Sequence, residues 1–93
     1  MKTKHTTGQW AVRDLEIIGP INSNKSICEI TGNFMDESEA KANAKLIAAA
    51  PELLKRLSDI IDSIDDELGA FKGFDKNSLY YTLAKEAIKK AIN

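Results

Sequence analysis

This sequence is poor in the residues that most often carry chemistry, because its 93 residues include one cysteine, one histidine and one tryptophan. Cys28 has no second cysteine to pair with, which indicates a reducing compartment. A structural zinc site needs several cysteine and histidine ligands, and one of each excludes it. Glycine-rich phosphate-binding loops are also missing. We therefore expect no enzymatic activity, no bound metal and no cofactor.

Long hydrophobic runs and a surplus of positive charge are missing too. The longest apolar runs are far shorter than the ~20 residues that cross a bilayer, and no secretory signal is visible. The net charge of −1 argues against binding of duplex nucleic acid, which usually requires a basic surplus. We expect a cytoplasmic protein that contacts neither a membrane nor duplex nucleic acid.

The charge that is present is unevenly distributed along the chain. Residues 52–71 contain six acidic and two basic side chains, whereas residues 72–93 contain five basic and two acidic ones. An acidic segment followed by a basic one predicts two helices that pair with each other or with copies of each other. Such charges guide the choice of partner and register more than they stabilise the fold.

Three short segments between residues 9 and 31 have the composition of β-strands: "QWAV", "LEIIG" and "SICEIT". The turn-rich sequence "GPINSNK" separates the second segment from the third. We predict an antiparallel β-meander of two or three strands over residues 9–31, packed against helices. The candidates for its apolar face are Trp10, Val12, Ile17, Ile27 and Ile30.

The apolar period changes to that of a helix from residue 36. Asp36 followed by Glu39 has the spacing of a capping box. Proline is tolerated at the first position of a helix but disfavoured in its interior, so Pro51 predicts a boundary between two helices. The predicted helices are residues 36–50, 51–70 and 77–92.

The fold class expected from these elements is α+β. A small β-meander is followed by three helices, of which the last two form a hairpin. A chain of this length forms a single domain over residues 1–93. Residues 1–8 precede the meander as an N-terminal arm.

The second predicted helix carries the strongest apolar stripe in the sequence. Its members recur every three or four residues, as in the seam of a coiled coil. They are Leu53, Leu57, Ile60, Ile64 and Leu68. Because so short a chain has a modest core, we expect this stripe to form the interface of a homo-oligomer, with a dimer as the first hypothesis.

Asp59, Asp62 and Asp66 share another face of this helix. Three carboxylates at this spacing could bind a divalent cation. We favour a solvated face or one that meets the lysines of the last helix, because a straight helix supplies no backbone carbonyl ligands.

The stretch "KHTTGQW", residues 4–10, allows two interpretations. Trp10 could fill the core of the small sheet, or offer its ring to a nucleobase. The other candidate ligand-binding residues are His5, Thr6, Thr7 and Gly8, whose hydrogen-bonding groups suit a phosphate, together with Asn43. Asn43 on the alanine-rich helix could instead specify register or hold a backbone group.

Two stretches, "KHTTGQWAV" and "EAKANAKLIAAAPELLKRL", resemble the "HTPGPW-x-V" opening and the "EANARLIAAAPELLEAL" segment of short hypothetical proteins from tailed bacteriophages and prophages. The resemblance covers roughly residues 4–57. Thr7 and Gln9 stand where that opening usually has prolines.

The resemblance implies an accessory phage protein in the cytoplasm of a bacterial host, acting by binding. One hypothesis is a homo-oligomer that sequesters a small anionic nucleotide-type signal and thereby counters host defence. A second is a protein–protein inhibitor that blocks a host factor with its acidic helix face. A third is a regulatory or structural phage component without a ligand.

Overall fold

The computed structural model describes residues 4–20, 25–31 and 35–92. Its elements follow the α+β order expected: β1 (Ala11–Arg13), β2 (Glu16–Ile18), β3 (Ser26–Glu29), α1 (Glu37–Asp65), a short 3-10 helix (Gly69–Phe71) and α2 (Leu79–Ile92). These residues fall into two compact units, one of residues 6–52 and one of residues 53–92 with residues 4–5. Residues 1–3 of the predicted arm and residues 21–24 of the predicted turn lie outside the described residues.

The three strands form an antiparallel sheet in the order β1-β2-β3, which confirms the predicted meander. Val12 pairs with Ile17, and Ile17 pairs with Cys28 on the other side. A two-residue turn joins β1 to β2, and its first residue, Asp14, has a φ of 59°. Aspartate is one of the few residues besides glycine that adopts this left-handed conformation readily.

The middle strand supplies the buried apolar side chains of the sheet. Ile17 is fully buried and Ile18 is 7% exposed, although neighbouring side chains in a strand point to opposite faces. Both faces of β2 are therefore covered, which the expectation of a single apolar face missed. Of the other candidates, Val12 is exposed and Trp10, Ile27 and Ile30 are half-buried.

The predicted boundary at Pro51 is wrong, because α1 is one helix with Pro51 inside it. The structure therefore has two helices and not three. Proline has no N–H to donate to the carbonyl of Ile47, but the rest of the helical ladder can form around this single missing bond. Residues 48–50 are alanines, the best helix formers, and they favour continuation of the helix.

The ends of α1 follow local rules that the sequence predicts well at one end only. At the start, the Oδ1 of Asp36 accepts a hydrogen bond of 2.7 Å from the N–H of Glu39, which confirms the predicted cap. At the other end, Leu68 donates to the carbonyl of Ser63 and Glu67 donates to that of Ile64. Together with the φ of 52° at Glu67, this is a Schellman motif. It ends α1 at Asp65, before the predicted residue 70.

The second unit contains a helical hairpin. Its core is formed by Ile61 and Ile64 of α1 and Ile88 of α2, each less than 5% exposed. The side chains packed around them are Leu54, Leu57, Phe71, Tyr81, Ala84 and Ile92. Since the end of α1 meets the beginning of α2 and the cluster extends along both helices, the two segments run antiparallel.

Candidate functional site

The N-terminal stretch is folded into a turn. The indole Nε1 of Trp10 donates a hydrogen bond of 3.1 Å to the carbonyl of Thr6. Gly8, between them, has a φ of 90°, a conformation that glycine adopts at little cost. Thr7 and Gly8 are exposed, whereas Thr6 and Trp10 are half-buried.

The turn is packed closely on the end of β2. A Cβ added to Gly19 would lie 2.9 Å from the Nε1 of Trp10 and closer still to its Cδ1, and a Cβ on Gly8 would lie 2.8 Å from the Cβ of Pro20. Gly19 is therefore needed for the approach of the indole ring. Trp10 holds the turn of residues 6–10 against the end of β2, which agrees with the structural interpretation of this residue.

Asn43 is engaged with a neighbour near the beginning of α1. Its Nδ2 lies 3.0 Å from the Sδ of Met35, a weak acceptor, and its side chain is half-buried. This contact fits the structural interpretation of Asn43. Of the predicted ligand-binding residues, the structure joins Thr6 and Trp10 directly by a hydrogen bond; His5 is half-buried.

The predicted interface stripe divides between two environments. Leu57 packs against the hairpin core and Ile64 is part of it. The remaining members are exposed: Leu53 by 56%, Ile60 by 46% and Leu68 by 56%. One part of the stripe therefore packs in or against the core of the hairpin, and the other part lies on the surface.

A polar cluster at the end of the hairpin was not predicted as a site. The hydroxyl of Tyr81 donates to the carboxylate of Asp65. The Nζ of Lys85 lies 3.0 Å from that hydroxyl, 3.4 Å from the carboxylate and 5.1 Å from the centre of the tyrosine ring. The signal in the sequence was the acidic segment followed by the basic one, which predicted pairing without naming the pairs.

The contacts within this cluster shift the pKa values of Asp65 and Lys85. The hydrogen bond from Tyr81, aided by the charge of Lys85, lowers the pKa of Asp65 below its ordinary value. The pKa of Lys85 is raised, first by its hydrogen bond to Tyr81 and then by the charge of Asp65. Both shifts favour the charged forms, so the cluster joins α1 to α2 most strongly at neutral pH.

The acidic face of α1 is partly neutralised within the helix. The Oδ2 of Asp59 lies 3.1 Å from the Nζ of Lys55 and 3.5 Å from the Nη1 of Arg56, while Asp62 and Asp66 are exposed. Among the described residues, no group of three or more His, Cys, Asp or Glu side chains is placed to hold a metal ion. In the same part of the chain, no helix is long and apolar enough to cross a membrane.

The sequence as a whole identifies its family. The family model described as Salmonella phage P22 protein Y8K6 matches residues 1–93. The chain belongs to this family and is a phage protein, as the resemblance implied. A search of the curated proteins and a search of the solved structures found no match.

Gly19→Ala should displace the indole ring, because the new Cβ has no room beside Trp10. We expect the free energy of unfolding to fall by about 1–3 kcal/mol and the fluorescence of Trp10 to shift towards that of an exposed indole. Gly69→Ala is the matched control, since its Cβ meets open space and only the φ of 51° is strained. An unchanged emission spectrum in Gly19→Ala would contradict the packing described.

Tyr81→Phe should raise the pKa of Asp65, because the main cause of its lowering is the hydroxyl that this change removes. A carboxyl with a lowered folded-state pKa stabilises the fold above its unfolded-state pKa and loses this effect as the pH falls through the folded-state value. The variant should therefore lose stability at neutral pH and less in acid. Carboxyl-detected NMR titration measures the pKa, and Tyr80→Phe, at an 82% exposed tyrosine, is the control. Equal pKa values in both variants would refute the assignment.

Proposed function

We propose that this phage protein acts by binding a protein partner and not by catalysis. The observation that carries the proposal is an apolar surface on the hairpin, which we call the hairpin face. It consists of Leu53 and Ile60 on α1 and Leu83 and Ala87 on α2. The three large side chains are 56%, 46% and 49% exposed, respectively, and Ala87 is exposed as well.

Helix geometry indicates that these residues share one side of the hairpin. On α1, Asp65 lies about 40° to one side of buried Ile61, and Ile60 lies about 100° to the other. On α2, Lys85 lies about 60° from buried Ile88 on the side that corresponds to Asp65, and Ala87 lies about 100° from it on the side that corresponds to Ile60. Since Asp65 contacts Lys85, Ile60 and Ala87 lie on the opposite edge from this ion pair.

The remaining members follow from the helical repeat. Leu53 precedes Ile60 by seven residues, and Leu83 precedes Ala87 by four, so each stays near its neighbour's side of the helix. Single exposed leucines are ordinary on protein surfaces, but apolar side chains from two helices on one side form a continuous patch. Full burial of a leucine or isoleucine side chain is favourable by about 1.5–3 kcal/mol. Because the large side chains of the hairpin face are only about half buried, a partner that covers them gains part of this free energy.

The hairpin face is a better candidate for partner binding than the acidic face of α1. Asp59 already has Lys55 and Arg56 beside it, and exposed ion pairs contribute little affinity. Apolar groups near the centre of an interface supply most of the binding energy, with charges at the rim. We propose that the acidic residues contribute to the rate and specificity of binding.

A photo-crosslinking amino acid placed at Ile60 should form an adduct with the partner during phage infection, because this position is at the centre of the hairpin face. Thr82 is exposed and precedes Lys85 by three residues, which places it on the edge of α2 away from the hairpin face, so the same amino acid at Thr82 is the control. We expect an adduct from Ile60 and none from Thr82, read by mass spectrometry. Adducts from neither position, or equally from both, would contradict the proposal.

A nucleotide-type ligand at the N-terminal segment is the second candidate function. It is favoured by one observation: the bond from Trp10 to Thr6 holds the turn so that Thr7 and Gly8 are exposed at its tip. A hydroxyl and backbone N–H groups held in this way suit a phosphate. Sequestration of a nucleotide signal of host defence remains a prediction that this geometry allows.

The fluorescence of Trp10 tests this candidate directly, since Trp10 is the only tryptophan in the sequence. Titration with a cyclic dinucleotide should quench or shift its emission if the ligand binds beside the ring. Thr7→Val should weaken the response by removing a hydroxyl of the exposed tip. A spectrum unchanged at millimolar ligand would exclude binding of that nucleotide beside Trp10.

A further inference from the structure

Residues 66–78 join α1 to α2, and we call this segment the strap. We infer that the strap opens and closes on the end of the hairpin as a unit, and that Asp65 is the latch that holds it closed. Asp65 is the last residue of α1 and directly precedes the strap. Closure of the strap does not require the partner proposed for the hairpin face.

The end of α1 lacks the positive charge that stabilises the carboxyl end of a helix. Its last turn contains no basic residue, and Asp62 and Asp65 are acidic, although the helix dipole favours cations at this end. Lys76 lies in the strap, and its Nζ donates a hydrogen bond of 3.2 Å to the backbone carbonyl of Asp65. The strap therefore supplies a cation that the last turn of α1 does not contain.

The carboxylate of the same residue holds α2. It accepts a hydrogen bond from the hydroxyl of Tyr81 and lies 3.4 Å from the Nζ of Lys85. Asp65 therefore binds two ammonium groups, one from the strap at its carbonyl and one from α2 at its carboxylate. If the carboxylate lost its charge, nothing on Asp65 would compensate the repulsion between these two cations, and the bond from Lys76 would weaken.

Two aromatic side chains complete the contacts of the strap with the hairpin. Phe71 packs against the hairpin core, and the centre of its ring lies 6.4 Å from that of Phe74. The ring centre of Phe74 lies 6.5 Å from that of Tyr81. Because the hydroxyl of Tyr81 is bound to Asp65, these aromatic contacts and the latch share one side chain of α2.

The backbone of the strap forms short-range hydrogen bonds. The N–H groups of Phe71, Lys72 and Phe74 each donate to a carbonyl three residues earlier, within the strap. Such isolated turns are not stable by themselves, so these N–H groups lose protection from exchange when the side-chain contacts with the helices break. A segment held by a few half-exposed contacts opens at a lower free energy than the core. The strap therefore opens while the hairpin stays folded.

Amide hydrogen exchange of the whole chain, followed by NMR, tests the strap. Lys76→Gln removes the charge that the strap places on the end of α1. We expect the protection factors of the Phe71 and Phe74 N–H groups to fall by about threefold to tenfold, and that of Ile88, in the hairpin core, to stay unchanged. Lys72→Gln is the matched control, because it removes an exposed lysine of the same segment and should leave all three values unchanged.

Asp65→Asn distinguishes the latch from a simple effect of the helix dipole. If the dipole alone decided, removal of any carboxylate from the end of α1 would stabilise the helix, and exposed Asp62 lies in the same turn. We expect Asp65→Asn to lower the protection factor of Phe74 by about threefold to tenfold, and Asp62→Asn to leave it unchanged or to raise it. Equal effects of the two variants, in either direction, would overturn Asp65 as the latch.

Salt tests the ionic character of the latch in the wild type. Sodium chloride at about 1 M screens exposed charges, so it should lower the protection factor of Phe74 as Lys76→Gln does and leave that of Ile88 unchanged. A protection factor of Phe74 that does not fall in salt would contradict a latch held by charge.

The exchange at Ile88 separates local opening from unfolding. An equal fall in protection at Phe74 and Ile88 in Lys76→Gln would overturn the strap as a unit that opens by itself. If Phe71 and Phe74 of the wild type exchange as fast as an unfolded chain, the strap is not closed and the inference fails. None of these measurements involves a partner, so the binding function is decided separately by the crosslinking at Ile60.

Discussion

The contact that organises the C-terminal unit is the burial of Ile61, Ile64 and Ile88 between α1 and α2. Each is less than 5% exposed, and the side chains around them pack only because the two helices are held at this register. The register also brings Asp65 to Tyr81 and Lys85, and so creates the polar edge of the hairpin. The same choice of buried face leaves Leu53, Ile60 and Leu83 outside. The proposed interface is therefore a consequence of the hairpin core.

The sheet unit is organised by a second close contact, that of Trp10 with Gly19. The ring is held by its own hydrogen bond to Thr6 and by the absence of a side chain on Gly19. This arrangement uses the N-terminal segment as part of the fold. It also makes the exposed tip of the turn, at Thr7 and Gly8, a defined surface that is available for a ligand.

The predictions succeeded where they depended on a few neighbouring residues. Local patterns were enough to predict the three strands, the cap at Asp36 and the α+β order. The predictions that failed required a comparison between competing local preferences. At Pro51, the rule against an interior proline was outweighed by the alanines before it and by the apolar stripe on both sides. The candidate site could be predicted only in part: one of the two interpretations of Trp10, a side chain that packs on the sheet, agrees with its contact with Gly19, whereas the cluster around Asp65 was missed.

The sequence by itself determined the family, the elements and the periodicity of the apolar residues, because each of these depends on residue identity and local spacing. It did not determine which apolar residues are buried, since Leu53, Leu57, Ile60 and Ile64 all belong to one broad stripe. Only the tertiary structure decided that Ile64 lies in the core and Ile60 on the surface. The physical reason is that the apolar face of α1 is wider than α2 can cover. One edge of that face is therefore buried and the other is exposed.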